Sequence, residues 1–353
     1  MTAPTDLLSL SEADLAAWLA QRGQRSFRAR QIRRWLYQKG ASSVDQMSDL
    51  PRALRESLAA ETALGTLRVA TEQSSKDGTV KRLYRLPDGH LIESVLMRYA
   101  DGRRTACISS QAGCAMGCVF CATGQMGFAR HLSSTEIFEQ VWRYDRALKA
   151  EGERLSNVVL MGMGEPFHNY NPVVAAMKRM NKDLGIGARH ITVSTVGIVP
   201  RIKSLADEGI QVTLAVSLHA ATDTARSALM PVNRKWSIET LVEACREYVE
   251  KTHRRITFEW ALIEGETDSV AEAQRLGRLL SGLLCHVNVI PLNPTGGYGG
   301  QPSAPERVQR FLQTLGRYGV PASVRVRRGI DIDAGCGQLR SRVMEEQGDS
   351  HVV

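Results

Sequence analysis

Long apolar runs are missing from this 353-residue chain, and a membrane-spanning helix takes about 20 consecutive apolar residues. The first ten residues lack a basic start followed by an apolar stretch, so they do not read as a secretory signal. Internal repeats and long low-complexity tracts are also absent, which sets aside a repeat architecture. There are 7 cysteines, an odd number. With no export signal the expected compartment is the cytoplasm, where stable structural disulfides are rare. Clustered cysteines in such a chain more often bind metal or do chemistry.

What is present suffices for a sizeable core: 43% of residues are hydrophobic. The length suits one large domain plus a small one. The formal net charge of +8 fits an acidic partner such as nucleic acid, or else an arginine-rich solvated surface.

The first 64 residues read as helical. Ser11 and Glu12 open an apolar pattern through Leu15, Trp18 and Leu19. A second pattern runs through Phe27, Ile32, Trp35 and Leu36 and closes at Gly40. Between Arg22 and Lys39 there are 7 basic residues and no acidic one, which fits an RNA platform or a solvated charged face. From about 67 to 107 the turn dipeptides Asp77-Gly78, Asp88-Gly89 and Asp101-Gly102 predict β-hairpins, with strands at 80–86 and 91–99.

Thereafter strand and helix alternate. Strands are expected at 157–161, 191–195, 212–218, 256–262 and 286–290, with helices at 134–150, 172–183, 238–251 and 270–284. Repeated βα units imply a parallel α/β sheet, open or closed into a barrel, with function at the C-terminal strand ends. A Gly/Pro-rich loop spans 294–305, a last strand 322–327 precedes a loop carrying Cys336, and the tail after Arg342 is polar.

The segment Cys114-Ala-Met-Gly-Cys118-Val-Phe-Cys121 puts three thiolates within eight residues. Three ligands fit an iron–sulfur cluster with one iron left open to substrate. Thiolates suit zinc equally, and Cys107 is available as a fourth zinc ligand, so a zinc-stabilised RNA-binding module is the alternative from another class. The spacing, with Phe120 before the last cysteine, resembles the signature of the radical S-adenosylmethionine (SAM) superfamily. That resemblance implies a four-iron, four-sulfur (4Fe-4S) cluster on Cys114, Cys118 and Cys121. Its open iron chelates SAM, and one electron then yields a 5′-deoxyadenosyl radical.

Other residues sit where such a site needs them. Met161-Gly-Met-Gly-Glu-Pro166 follows a core strand, and its glycines would let a ligand approach the backbone. Ser194, Ser217-Leu218-His219 and Asn293 lie at or just beyond strand ends; each alone reads equally as a satisfied cap, together as a pocket rim. Cys336, flanked by glycines, reads as a nucleophile on a flexible, accessible loop. Cys245 and Cys285 read as buried and inert.

Over nearly its whole length the sequence resembles the RlmN family, dual-specificity RNA methyltransferases acting on adenosine C2 in 23S rRNA and tRNA. The most specific pieces are Cys107-Ile-Ser-Ser-Gln-Ala-Gly-Cys114, Gly162-Met-Gly-Glu-Pro166, Ser217-Leu-His219 and the segment 331–339. The resemblance implies a partial (βα)6 TIM-like barrel over 100–342, ending in a catalytic loop. An RNA-binding helical accessory domain would cover 1–64, a β-hairpin extension 65–99 and a polar tail 343–353. It assigns the SAM site to Gly164, Glu165, Ser194, Ser217, Leu218, His219 and Asn293. Cys336 would carry the methyl group, Cys107 would resolve the adduct through a transient disulfide, and Glu93 would accept a proton. The bland reading of Glu93 is an exposed strand carboxylate. Two SAM molecules per turnover, an electron donor such as flavodoxin, no membrane and a monomeric state complete the expectation.

One departure is Gly335, where the family carries alanine; the glycine should add flexibility beside Cys336. The nearest rival is the Cfr family, which methylates adenosine C8 and shares both catalytic cysteines; Pro166 favours the first resemblance.

Overall fold

In the computed structural model residues 4–340 are described, and the expected polar tail at 343–353 lies outside them. Ser11 starts the first helix with a reciprocal cap: its hydroxyl accepts the Asp14 N–H at 3.1 Å, and the Asp14 carboxylate accepts the Ser11 N–H at 3.3 Å. Strand β1 (Thr5–Asp6) precedes helices α1 (Glu12–Ala20), α2 (Phe27–Arg33) and α3 (Arg52–Glu61), and strand β2 (Thr62–Ala63) returns to pair parallel with β1. Helix α2 continues as a π-turn to Lys39 and stops at Gly40, at φ 70°.

The next strands, β3 (Arg68–Ser74), β4 (Val80–Arg85), β5 (Leu91–Arg98) and β6 (Arg104–Cys107), form an antiparallel meander. After β6 come a small hairpin, β7 (Gln111–Gly113) with β8 (Phe128–His131), and the short helix α4 (Ala122–Gln125) between its strands. Helix α5 (Ser134–Ala150) then leads to β9 (Asn157–Leu160), which pairs parallel with β6.

From there the alternation is regular: α6 (Tyr170–Leu184), β10 (Ile191–Thr195), α7 (Val199–Asp207), β11 (Thr213–Ser217), α8 (Asp223–Leu229), α9 (Ile238–Thr252), β12 (Ile256–Leu262), α10 (Val270–Leu280), β13 (Cys285–Pro291), α11 (Pro305–Arg317) and β14 (Ala322–Val324). One ten-stranded sheet results, with β14 at one edge and β3 at the other. From β6 to β14 every pairing is parallel. This is the expected open, partial barrel with a hairpin extension on the sheet. Every residue of β12 is buried, as a parallel strand covered on both faces requires.

Two expected elements are shorter. The helix expected to 284 ends at Leu280, because Gly282 turns the chain at φ 73° before β13 starts at Cys285. The last strand ends at Val324, where the chain leaves the sheet and Arg325 turns its side chain toward a cleft.

The N-terminal unit is bolted to the barrel. Trp142 on α5 donates its indole N–H to the Leu36 carbonyl at 2.8 Å, and Lys149 donates to the Tyr37 carbonyl at 2.6 Å. Arg33 pairs with Asp183 on α6 at 2.6 Å and Arg22 with Glu61 at 2.6 Å, so part of the basic run is structural. Cys245 and Cys285 are buried, as expected.

Glu139 on α5 holds the connection into the meander. Fully buried, it accepts the N–H groups of Thr66 at 2.8 Å and Leu67 at 3.0 Å and the Arg143 guanidinium at 2.7 Å. Gly65 leaves no room for a side chain there: a Cβ would stand 2.2 Å from the Glu139 carboxylate. Glu139→Ala strands two amides and a guanidinium. It should lower unfolding free energy by about 2–3 kcal/mol, read as a fall in guanidinium midpoint; an unchanged midpoint would mean the clamp contributes nothing.

Candidate functional site

The cysteine segment leaves β7 through Gly113, whose φ of 72° and close approach to the Gly127 carbonyl exclude a side chain. The Cys114 N–H donates to that carbonyl at 2.7 Å. Cys114, Cys118 and Cys121 all line one cleft of about 1060 Å³ at the C-terminal ends of the parallel strands. Burial pushes the Cys114 thiol up to about 12 and raises Cys118 and Cys121 as well, the latter opposed by donors at Gly124 and Thr123. Such thiols stay neutral until a cation repays their desolvation. Among the described residues no three His, Cys, Asp or Glu side chains converge at single-ion distance. Cys107, the fourth ligand a zinc site would take, does not line this cleft.

Gly164, Glu165, Ser194, Ser217, His219 and Asn293 line the same cleft. Leu218 does not: its side chain is fully buried in the core, and its backbone N–H bonds the Glu259 carbonyl at 3.1 Å. The glycines serve the chain's own packing. A Cβ on Gly162 would meet the Ile108 backbone at 2.7 Å, and one on Gly164 would meet Gln111 at 2.5 Å. Glu165 accepts the N–H groups of Phe167 at 2.9 Å and Val196 at 2.8 Å, tying two strand ends together. Burial raises its pKa to about 7 despite those donors. Burial lowers His219 to about 3, with the Arg226 charge adding to the effect. The ring is therefore neutral, and since Nδ1 accepts the Ala261 N–H at 2.9 Å, the proton sits on Nε2.

A second, smaller cleft is lined by Cys107 and Met97 and shares Met161, Ile290, Asn293, Arg325, Cys336 and Leu339 with the first. Cys336 thus stands in the wall between the two. It is exposed, as expected of an accessible thiol, while the protein packed around it still raises its thiol pKa. The neighbouring Arg325 charge opposes that rise. Burial pushes Cys107 up to about 12, with Cys336 adding and Arg325 opposing.

The expectation of a flexible loop around Cys336 is corrected. Asn293 donates to the Cys336 carbonyl at 3.0 Å, Gln338 donates to the Pro294 carbonyl at 3.1 Å, and the Ala122 N–H reaches the Gly337 carbonyl at 2.8 Å. Gly335 supplies closeness instead of freedom: a Cβ there would stand 2.5 Å from Gln338 and 2.8 Å from Asn293. Glu93 is likewise no exposed carboxylate. It is 3% exposed and lies 3.4 Å from the Lys81 ammonium. It lines neither cleft, but alternation puts it on the same face of β5 as Met97, which does.

Three residues escaped the sequence reading. Arg226 on α8 is fully buried and donates to the carbonyls of Val196 at 2.6 Å, Ser217 at 3.0 Å and Leu218 at 3.1 Å. It satisfies the strand ends that shape the rim. Half-buried Arg325 and buried Glu259, 3.7 Å apart, form a charge pair beside Cys336. A charged residue within a helix or strand reads as solvated, so no local signal marked any of them.

Residues 108–276 match the Radical SAM superfamily, and residues 5–64 match the ribosomal RNA large subunit methyltransferase N-terminal domain. The chain is 52% identical over 341 residues to the dual-specificity RNA methyltransferase RlmN 1 of Myxococcus xanthus, covering 96% of this chain and 95% of that protein. It is 47% identical over 338 residues to a probable dual-specificity RNA methyltransferase RlmN of Staphylococcus aureus, covering 95% and 93%. The crystal structure of a radical SAM methyltransferase from Sphaerobacter thermophilus superposes with a TM-score of 0.91 at 49% identity, covering 96% of this chain and 99% of that one. Cluster-type thiols, a barrel-end cleft and likeness along nearly the full length converge: the chain belongs to the RlmN family of the radical SAM superfamily.

Proposed function

We propose that this protein methylates C2 of adenosine in 23S rRNA and in tRNA, carrying the methyl group on Cys336. Family membership brings SAM and a 4Fe-4S cluster. The residues present fit both. Three thiols line one cleft, a donor set that suits an iron–sulfur cluster. Asn293 Oδ1, a buried atom of a cleft-lining residue, accepts no hydrogen bond among the described residues, as expected where a polar ligand belongs. Cys114, Cys118 and Cys121 would hold the cluster. When bound, it supplies the electron that splits SAM into methionine and a 5′-deoxyadenosyl radical.

The observation that carries the reading is the position of Cys336 between the cleft of the three thiols and the cleft of Cys107. From the first side its thiolate takes a methyl from one SAM molecule by displacement. A second SAM molecule then serves the radical step, so each turnover uses two. On the second side one hydrogen atom of the S-methyl group would leave in 5′-deoxyadenosine, and the carbon left on Cys336 Sγ would bond to C2 of the base, the odd electron returning to the donor. Cys107 attacks that sulfur: the S–S bond forms as the S–C bond breaks, and the carbon takes up a proton and leaves on the base as its methyl group. A reductant reopens the disulfide before the next cycle. Glu93 takes the C2 proton; Arg325 steadies the thiolate form of whichever cysteine is ionised. Gly164, Glu165, Ser194, Ser217, His219 and Asn293 line the SAM pocket, and Leu218, whose backbone groups are bonded to Glu259, Ala220 and Arg226, supports its wall from behind.

On this reading residues 1–64 are an RNA-binding accessory domain, 65–99 a hairpin extension and 100–342 the catalytic core. The protein works as a monomer in the cytoplasm with an electron donor such as flavodoxin.

Anaerobic reconstitution with iron, sulfide, SAM, flavodoxin with its reductase, and total RNA, followed by nucleoside mass spectrometry, tests the function. 2-Methyladenosine is the expected product, with one S-adenosylhomocysteine and one 5′-deoxyadenosine per methyl transferred. 8-Methyladenosine would transfer the reading to the Cfr type, and a colourless, zinc-loaded, inactive protein would overturn it. Cys107→Ala should stop release: multiple turnover falls by about a thousandfold while an RNase-sensitive protein–RNA adduct accumulates on denaturing gels. Full turnover by that variant rules out the resolving role.

A further inference from the structure

The open sheet leaves its two edges, β14 and β3, unpaired with each other. The loop that follows β14 nevertheless meets the tip of the β3–β4 hairpin, about 250 residues away in sequence. Ser75 donates to the Asp331 carboxylate at 2.6 Å, and the Lys76 N–H reaches the same group at 3.3 Å. The Asp77 carboxylate accepts the Gly329 N–H at 3.0 Å and pairs with Arg328 at 3.8 Å. Gly329 is buried against Thr79, so tightly that a Cβ would come within 2.9 Å of the threonine methyl.

Behind this tip lies a buried cation. Lys81 on β4 is 5% exposed. Its ammonium stands 3.4 Å from Glu93 on β5 and 3.4 Å from the Asp333 carbonyl, three residues before Cys336. Register explains the first contact: Lys81 opposes Val95 and Leu83 opposes Glu93, so Lys81 and Glu93 are diagonal neighbours on one face. A buried ammonium needs partners on more than one side, and here one partner is a strand carboxylate and the other is the backbone of the thiol loop.

We propose that Lys81, with the hairpin tip from Ser75 to Thr79, is the positioning device for Cys336. It spans the barrel opening, holds the thiol loop against the second cleft and keeps Glu93 in fixed relation to it. Lys81 acts through Asp333 and Glu93 and need not touch substrate. The catalytic consequence rests on the methyl-carrying role of Cys336; the mechanical one does not.

Hydrogen exchange on the apoprotein tests the mechanical part with no cofactor or RNA present. Lys81→Met should speed exchange in residues 329–340 by about tenfold, the scale of one charge-assisted hydrogen bond, and leave the remote helix α9 (Ile238–Thr252) at wild-type rates. Lys81→Arg should restore protection. Asp331→Ala, an exposed change that buries no charge, should loosen the same segment and covers the case in which Lys81→Met fails to fold. In the reconstituted enzyme the loosened variants should keep the SAM KM, while methyl groups transferred per 5′-deoxyadenosine fall by about tenfold. Wild-type exchange in 329–340 for Asp331→Ala, or loosening by Lys81→Met spread evenly over the whole chain, would overturn the proposal. If wild-type enzyme yields no 2-methyladenosine, the functional reading fails, while the exchange data still decide the mechanical one.

Discussion

Two hydrogen bonds tie the C-terminal thiol loop to the cysteine segment, and the site depends on them. The Ala122 N–H reaches the Gly337 carbonyl at 2.8 Å, and the Thr123 hydroxyl reaches the Leu339 carbonyl at 2.7 Å. Ala122 directly follows Cys121, and Gly337 directly follows Cys336. On the proposed role of Cys336 its thiol has to be fixed relative to both clefts, and displacement of about 1 Å is enough to cost a reaction of this kind heavily. Anchoring through the loop's backbone carbonyls leaves the Cys336 side chain itself free.

Charge is managed in the same economical way. Arg226 is buried among strand-end carbonyls, which lets two strand termini stop at the rim with three acceptors satisfied. Burial lowers its pKa to about 10, so it remains a cation and helps keep His219 neutral. Arg325 plays the matching part near the thiols, paired with Glu259, which Asn288 also bonds at 3.0 Å. A lone buried guanidinium would be costly; a paired one can sit beside two thiols and favour the ionised form of either.

Much of this was legible in the residue order. The strands at 191–195 and 256–262 and the helix at 134–150 were read to the residue. Apolar strands flanked by polar residues, and the Ser133–Glu136 capping box, are local signals. The cysteine spacing and the glycine-flanked Cys336 were equally local. Helix α11 has Pro305 at its start and was passed over beside the Gly/Pro-rich loop. What could not be read locally is burial created by distant contacts. Glu93 is covered because the meander packs onto the barrel. Gly335 looked like a hinge because its tight neighbours, Asn293 and Gln338, reach it only through the folded loop.

The hairpin extension gains its meaning from the same non-local geometry. As an antiparallel appendage on a parallel sheet it adds little to the barrel's own pairing, and its outer strand β3 is exposed along its whole length. An exposed edge strand is a liability unless something else requires it. The requirement is visible at its tip, where Ser75, Asp77 and Lys81 meet the loop of Cys336. A fully closed barrel would leave no opening through which a large polynucleotide could present a base to the interior. An open one leaves the last loop without a neighbour on one side. Reaching back with the first hairpin supplies that neighbour and keeps the opening, so early residues of the chain brace the loop that carries a late one, Cys336.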